Sequence, residues 1–329
     1  MKTFAFLFTS AVLVTAALAQ NATTPLTLEK TIPLEKVNGR IDHMAADVQG
    51  QRLFVAALGN NTVEIVDLKA GKALQSLPGF AEPQGIAYVP ASDRIFVANG
   101  QDGTCRIIDG HSLKTISSVQ CGDDADNVRY DETTKRIYVG YTSALAVLDA
   151  KTGTKLADIK LAGHPESFRI ETTGPRIFVN VPQADHIAIV DREKAQVVET
   201  LPLKQAKSNF PLFLDEANHR FLAGCRNPAT LLVYDTTAPT ARVVASLPIS
   251  RDTDDLFYDP ANKLIYVSCG QGAIDVIRQT DPDHYTLVNT IKTAAGARTS
   301  LFVPELKILC LAVPHRGAQS AEIRVFKTP

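Results

Sequence analysis

Arg136-Ile-Tyr-Val-Gly140 and Arg176-Ile-Phe-Val-Asn180 are two copies of one pattern, an anchor residue followed by β-branched, aromatic and small residues. The same pattern appears as Arg52-Leu-Phe-Val-Ala56, Arg94-Ile-Phe-Val-Ala98, Arg220-Phe-Leu-Ala-Gly224, Leu264-Ile-Tyr-Val-Ser268 and Ile308-Leu-Cys-Leu-Ala312. Its anchors recur at intervals of 42, 42, 40, 44, 44 and 44 residues, so seven copies fill the chain beyond its first few dozen residues. A length of 329 residues alone suggests roughly two domains, but a continuous repeat overrides that prior.

Working outward from each anchor, a short apolar run ending in a turn precedes it, as in Met44 to Asp47, Val128 to Asp131 and Phe168 to Glu171. An alternating strand follows, such as Val63-Glu-Ile-Val-Asp67 or Ile187-Ala-Ile-Val-Asp191, and then an edge-like strand such as Val197-Val-Glu-Thr-Leu-Pro-Leu203. Gly59-Asn60-Asn61 and Asp102-Gly103 mark hairpins where the second strand meets the third. Pro78, Pro202 and Pro248 are compatible with an outer strand, which need not donate every N–H. Four such strands per copy without helical periodicity predict an all-β, seven-bladed propeller of four antiparallel strands per blade.

The ends test this reading. The last copy stops after its third strand, Glu322-Ile-Arg-Val-Phe326, while Leu28-Glu-Lys-Thr-Ile-Pro-Leu34 matches the fourth strands. Residues 26–35 are therefore expected to complete the seventh blade and close the ring, removing the exposed edges of an open array.

The strands of the type Arg-Ile-Tyr-Val-Gly140 and Arg-Ile-Phe-Val-Asn180 resemble those that name the YVTN-repeat β-propellers, and the resemblance covers the whole chain after its leader. It implies a seven-bladed fold and export but no single activity, since propellers host lactonases, lyases and binding scaffolds alike. A chain with no tryptophan is not a WD40 propeller, and tryptophan-stacked quinone sites are disfavoured for the same reason.

Met1 to Gln20 carries Lys2, an apolar run from Phe4 to Leu18, and Ala17-Leu18-Ala19, the order of a secretory signal peptide. Residues 1–19 are expected to be removed, leaving a propeller over 20–329 with a periplasmic or secreted destination and no membrane span. Net charge is −1 with 21% charged residues spread along the chain, which excludes a nucleic-acid-binding basic protein. There is no haem, NAD or flavin signature and no C-x-x-C pair. Five cysteines in an exported chain leave at least one unpaired, and a bond between Cys225 and Cys269, equivalent positions in neighbouring blades, is not expected. A monomer is expected.

The turns on the two faces of the ring differ in character. On one face, Asp47, Asp131, Asp215 and Asp259 end first strands and Asp67, Asp109, Asp149, Asp191 and Asp235 end third strands, a monotony that reads as turn capping. On the other, the position at the channel mouth reads Asp42, Gln84, Asp126, Glu166, Phe210, Asp254 and Arg298. The following position includes His43, Asn127 and Asp255, and His164, His186, Arg226, His315 and Arg316 fall on the same face by register. Residues that vary from copy to copy are what one asymmetric ligand site on a symmetric scaffold produces.

Asp42, Asp126, Glu166 and Asp254 converging on one axis require a proton, Arg298 or a cation as counter-charge, and an oxygen-rich ring suits Ca2+ or Mg2+. Two functions follow. The mouth binds a small ligand, metal ion or partner without chemistry, or it is a metal-assisted lactonase, hydrolase or lyase in which His43 or His315 moves a proton. A flat protein-binding platform is the third reading, and 7% aromatic residues give it no evident patch. Arg298, standing where other blades offer carboxylates, makes an anionic small molecule the expected ligand.

Overall fold

Six sequence copies carry four short β-prone stretches separated by Asp, Asn and Gly turns and the last carries three, and with the first strand of the chain they form seven four-stranded antiparallel sheets among the described residues. The computed structural model describes residues 25–237 and 241–329, so the leader expected over 1–19 lies outside the described residues. Blade one runs outward through Met44–Asp47, Arg52–Ala57, Thr62–Asp67 and Lys72–Pro78. The innermost strands of blades two to six are Pro83–Val89, Val128–Asp131, Phe168–Ile170, Lys207–Asp215 and Thr253–Asp259. Blade seven takes Ser300–Val303, Ile308–Val313 and Glu322–Lys327 from the end of the chain and Thr27–Pro33 from its beginning, with Ile32 opposite Ile323.

The core is divided among the joints between blades. Seven apolar clusters each join two neighbours, and the one that closes the ring packs Ile32 and Ile323 of blade seven against Leu53 and Val55 of blade one. Each blade is thus covered on both faces, so the alternation expected along Val63–Asp67 gives way to continuous burial through Val66. Glu64 is buried there and accepts hydrogen bonds from Thr62 Oγ1 at 2.5 Å and Ser76 Oγ at 2.8 Å, which supply the partners a buried carboxylate needs.

The outer strand of every blade carries a register shift against the third strand. In blades one to four the skipped residue is Leu74, Ile116, Leu156 or Val198, each exposed. A bulge twists the free edge and interrupts its row of N–H and C=O groups, which discourages pairing with another chain. The prolines fall where expected, ending the outer strands at Pro78, Pro202 and Pro248.

At the face away from the mouth the repeated aspartates are turn caps. Asp47 accepts the Gly50 N–H at 2.9 Å, Asp149 the Thr152 N–H at 2.6 Å, and Asp191 the Glu193 N–H at 3.0 Å. The arginines of the sequence pattern bind these ends of the strands, Arg52 to Asp47 at 2.8 Å and Arg220 to Asp235 at 2.9 Å. All five cysteines are buried and free, Cys225 and Cys269 included.

Candidate functional site

In blades one to six a bulge at the start of the innermost strand aims the mouth residue at the axis. In blade one Asp42 donates its N–H to the Ala56 carbonyl at 2.8 Å and Ala56 returns its own N–H to His43 at 3.0 Å, so two residues face one. Asp126 and Asn127 share Gly140 in the same way, and Glu166 and Ser167 share Asn180. Ladder shifts place Gln84, Phe210 and Asp254 in the corresponding bulges of blades two, five and six. The blades meet tightly here: His43 donates its N–H to the Gln84 carbonyl at 3.2 Å, and a Cβ on Gly85 would stand 2.2 Å from the Asp126 carbonyl oxygen.

The result is a cavity of about 240 Å³ on the axis, to which all seven mouth residues contribute. Its charges form two groups. In the first, Asp126 lies between two imidazoles, His43 Nε2 at 3.8 Å and His164 Nε2 at 3.9 Å. His43 also stands 3.8 Å from Asp42 and 4.0 Å from Asp255, while Arg40 Nη2 lies 3.1 Å from Asp42. In the second, Asp254 is held on both oxygens, by Arg226 Nη2 at 2.5 Å and Arg298 Nε at 2.9 Å. Asp252 bridges the same two guanidiniums at 3.5 and 2.9 Å. Phe210, the one apolar mouth residue, serves as a platform, with the Arg226 guanidinium 3.3 Å from its ring centroid.

These environments drive the titrations apart. Burial and the Asp126 carboxylate push Glu166 up to about 8, and burial with the carboxylates of Asp126 and Asp254 holds Asp42 well above its ordinary value. Burial also raises Asp255, to about 6. For Asp126 burial is outweighed by His164, His43 and Arg129, and its pKa is lowered. Burial opposes charging of His164, but the carboxylates of Asp126, Glu166 and Asp124 prevail and raise it. Asp126 Oδ1 and His164 Nδ1 are buried without a hydrogen-bond partner.

Among the described residues no group of three or more His, Cys, Asp or Glu side chains is placed to hold a metal ion. Asp42 leans on Arg40 and Asp254 on two arginines, while Asp126 faces two histidines, so each of these carboxylates has its own partner from the chain.

His315 and Arg316 do not line this cavity. They line an adjoining one of about 440 Å³ that shares Arg40 and Arg298 with it and reaches Gly296 and Pro314. Asn127 lines the mouth and accepts a hydrogen bond from Arg129 at 2.9 Å, while Asp255 turns below it and accepts the Ser300 N–H at 2.8 Å. His186 lines neither cavity.

A second tier stands two residues before the mouth position in each blade, charged in most of them, and of it only His164 was expected from the sequence. It holds Arg40, Asp124, His164 and Asp252, and continues as Glu82, Ser208 and Gly296. Glu82, Asp124, Ser208 and Asp252 adopt left-handed backbone with φ of 55, 56, 58 and 62°, an uncommon state for non-glycine residues that here marks a turn repeated from blade to blade. A signal for it existed, since these positions vary among blades as the mouth positions do.

No family model matches the chain, and no curated protein matches it. Among solved structures it is similar to a chain of Kuenenia stuttgartiensis hydrazine synthase, at 16% identity and TM-score 0.76, covering 95% of this chain and 99% of that one. It is also similar to a chain in the crystal structure of a mitotic checkpoint complex, at 11% identity and TM-score 0.78, covering 100% of this chain and 99% of that one. At such identities the likeness shows the fold, a seven-bladed β-propeller.

Proposed function

We propose that this protein is an exported propeller of the YVTN-repeat type that binds a small zwitterionic ligand at the channel mouth. The observation that carries this reading is the pair of adjoining cavities joined through Arg40 and Arg298. One has a carboxylate-rich floor with Asp126 Oδ1 unpartnered, suited to an ammonium or a donor-rich group. The other is lined by Arg40, Arg298, His315 and Arg316 beside Asp252, a set in which the arginines outnumber the carboxylate and suit an anionic end. The anionic ligand expected from Arg298 alone is thereby refined, because that guanidinium already holds Asp252 and Asp254. Calorimetric titration with matched zwitterions, simple carboxylates and simple amines tests it. Zwitterions are expected to bind most tightly, with affinity falling at least tenfold in both Asp126→Asn and Arg316→Ser; equal binding of all three classes refutes the reading.

A second reading, proton transfer on the bound ligand as in a lyase or lactone hydrolase, is favoured by Glu166 at about 8 beside an Asp126 held low. A bell-shaped pH profile of turnover that loses one limb in Glu166→Gln supports it. Catalysis unchanged in that variant excludes Glu166 as the acid.

A further inference from the structure

Below the mouth lies a second chamber of about 270 Å³. Its wall is set by the residue three positions after the mouth residue of each blade: Ala45 and Ala87 in blades one and two, Arg129 and Arg169 in three and four, Phe257 in six and Leu301 in seven. The two alanines leave space on one side, and two arginines project into the channel from the other. The Arg169 guanidinium lies 5.6 Å from the Phe213 ring and 5.8 Å from that of Phe257, and Arg129 lies 5.7 Å from Phe168.

Neither arginine makes an ion pair among the described residues. Arg129 donates from Nη1 to the Val128 carbonyl at 2.8 Å and from Nη2 to Asn127 at 2.9 Å, which leaves its buried Nε without a partner. Arg169 uses only Nε, donating to the Leu212 carbonyl at 2.8 Å, and both its terminal amino groups remain available. One carboxylate, Asp255, lines the chamber, and it already accepts a backbone N–H and faces His43. Two guanidiniums and one carboxylate leave an uncompensated positive charge between apolar walls, where attraction for an anion is stronger than in water.

We propose that this chamber binds one small monovalent anion, of the size of a halide or a short-chain carboxylate, held by the terminal nitrogens of Arg169 and the Nε–H of Arg129. The site is separate from the mouth and uses neither of the mouth arginines. His43 lines both cavities and forms the partition between them.

The test compares the melting temperature of the full chain in sodium bromide, sodium acetate and sodium gluconate at equal ionic strength, gluconate serving as the larger, strongly hydrated reference anion. Bromide or acetate is expected to raise it saturably by about 2 °C over gluconate, and whichever does so identifies the anion. Arg169→Leu should abolish the increment and Arg316→Ser, in the cavity adjoining the mouth, should retain it. Bromide-soaked crystals of the unaltered protein should show an anomalous peak between the two guanidiniums, which keeps the test decisive should the Arg169 variant not fold. Equal melting temperatures in all three salts without such a peak overturn the proposal. So does an increment that survives Arg169→Leu but is lost in Arg316→Ser.

Discussion

Arg298 Nε lies 2.9 Å from Asp254 Oδ2, so two residues at the same register position of adjacent blades are partners across the joint between blades six and seven. Asp254 keeps a second cation, Arg226, on its other oxygen. Removing one arginine therefore leaves the carboxylate paired, whereas removing the carboxylate leaves two guanidiniums bridged only by Asp252. Arg298→Ala is expected to cost about 1 kcal/mol in denaturant unfolding, and Asp254→Ala about 3 kcal/mol. Equal losses would show that the two arginines do not share Asp254.

Glu166 yields a pH dependence. Its folded pKa of about 8 lies above that of the unfolded chain, so the folded state binds more protons across that interval. The stability it contributes is present below the unfolded value near 4.5 and is lost as pH rises through about 8. The raised His164 acts in the same direction. Glu166→Gln is expected to flatten the fall in melting temperature between pH 6 and 8 and to be more stable than the unaltered protein at about pH 8. A variant with the same slope would place the titration elsewhere.

Gly85 is expected to tolerate no side chain. A Cβ there would stand 2.2 Å from the Asp126 carbonyl oxygen and 2.8 Å from the Val128 nitrogen, both backbone atoms that cannot turn aside. Gly85→Ala should destabilise by about 1–3 kcal/mol and weaken ligand binding by displacing Asp126. A folded variant with unchanged affinity would show that the joint between blades two and three yields without moving the mouth.

Closure by the first strand predicts that deleting residues 25–36 lowers the melting temperature sharply and promotes association. The deletion removes the whole ladder against Glu322–Lys327 and uncovers the apolar cluster around Ile323. Unchanged melting behaviour would refute closure.

Repetition made the fold legible. Alternation, turn residues and the Arg-Ile-Tyr-Val type of anchor are local properties, and seven copies at one spacing specify a ring because each blade can bury its faces only against its neighbours. The same register located the mouth, and Asp42, Asp126, Glu166, Asp254 and Arg298 do line one cavity. Which of them pair could not be read from the chain, because Arg226 and Arg298 meet Asp254 from 28 residues before and 44 after it only once the ring closes. The channel arginines were concealed for a related reason. Arg129 and Arg169 sit inside stretches that read as short apolar strands, and only the tertiary structure shows that they face the axis opposite Ala45 and Ala87. Local sequence dictates backbone geometry through short-range sterics and hydrogen bonding, whereas the balance of charge at a shared axis depends on side chains far apart in the chain that only the closed ring brings together.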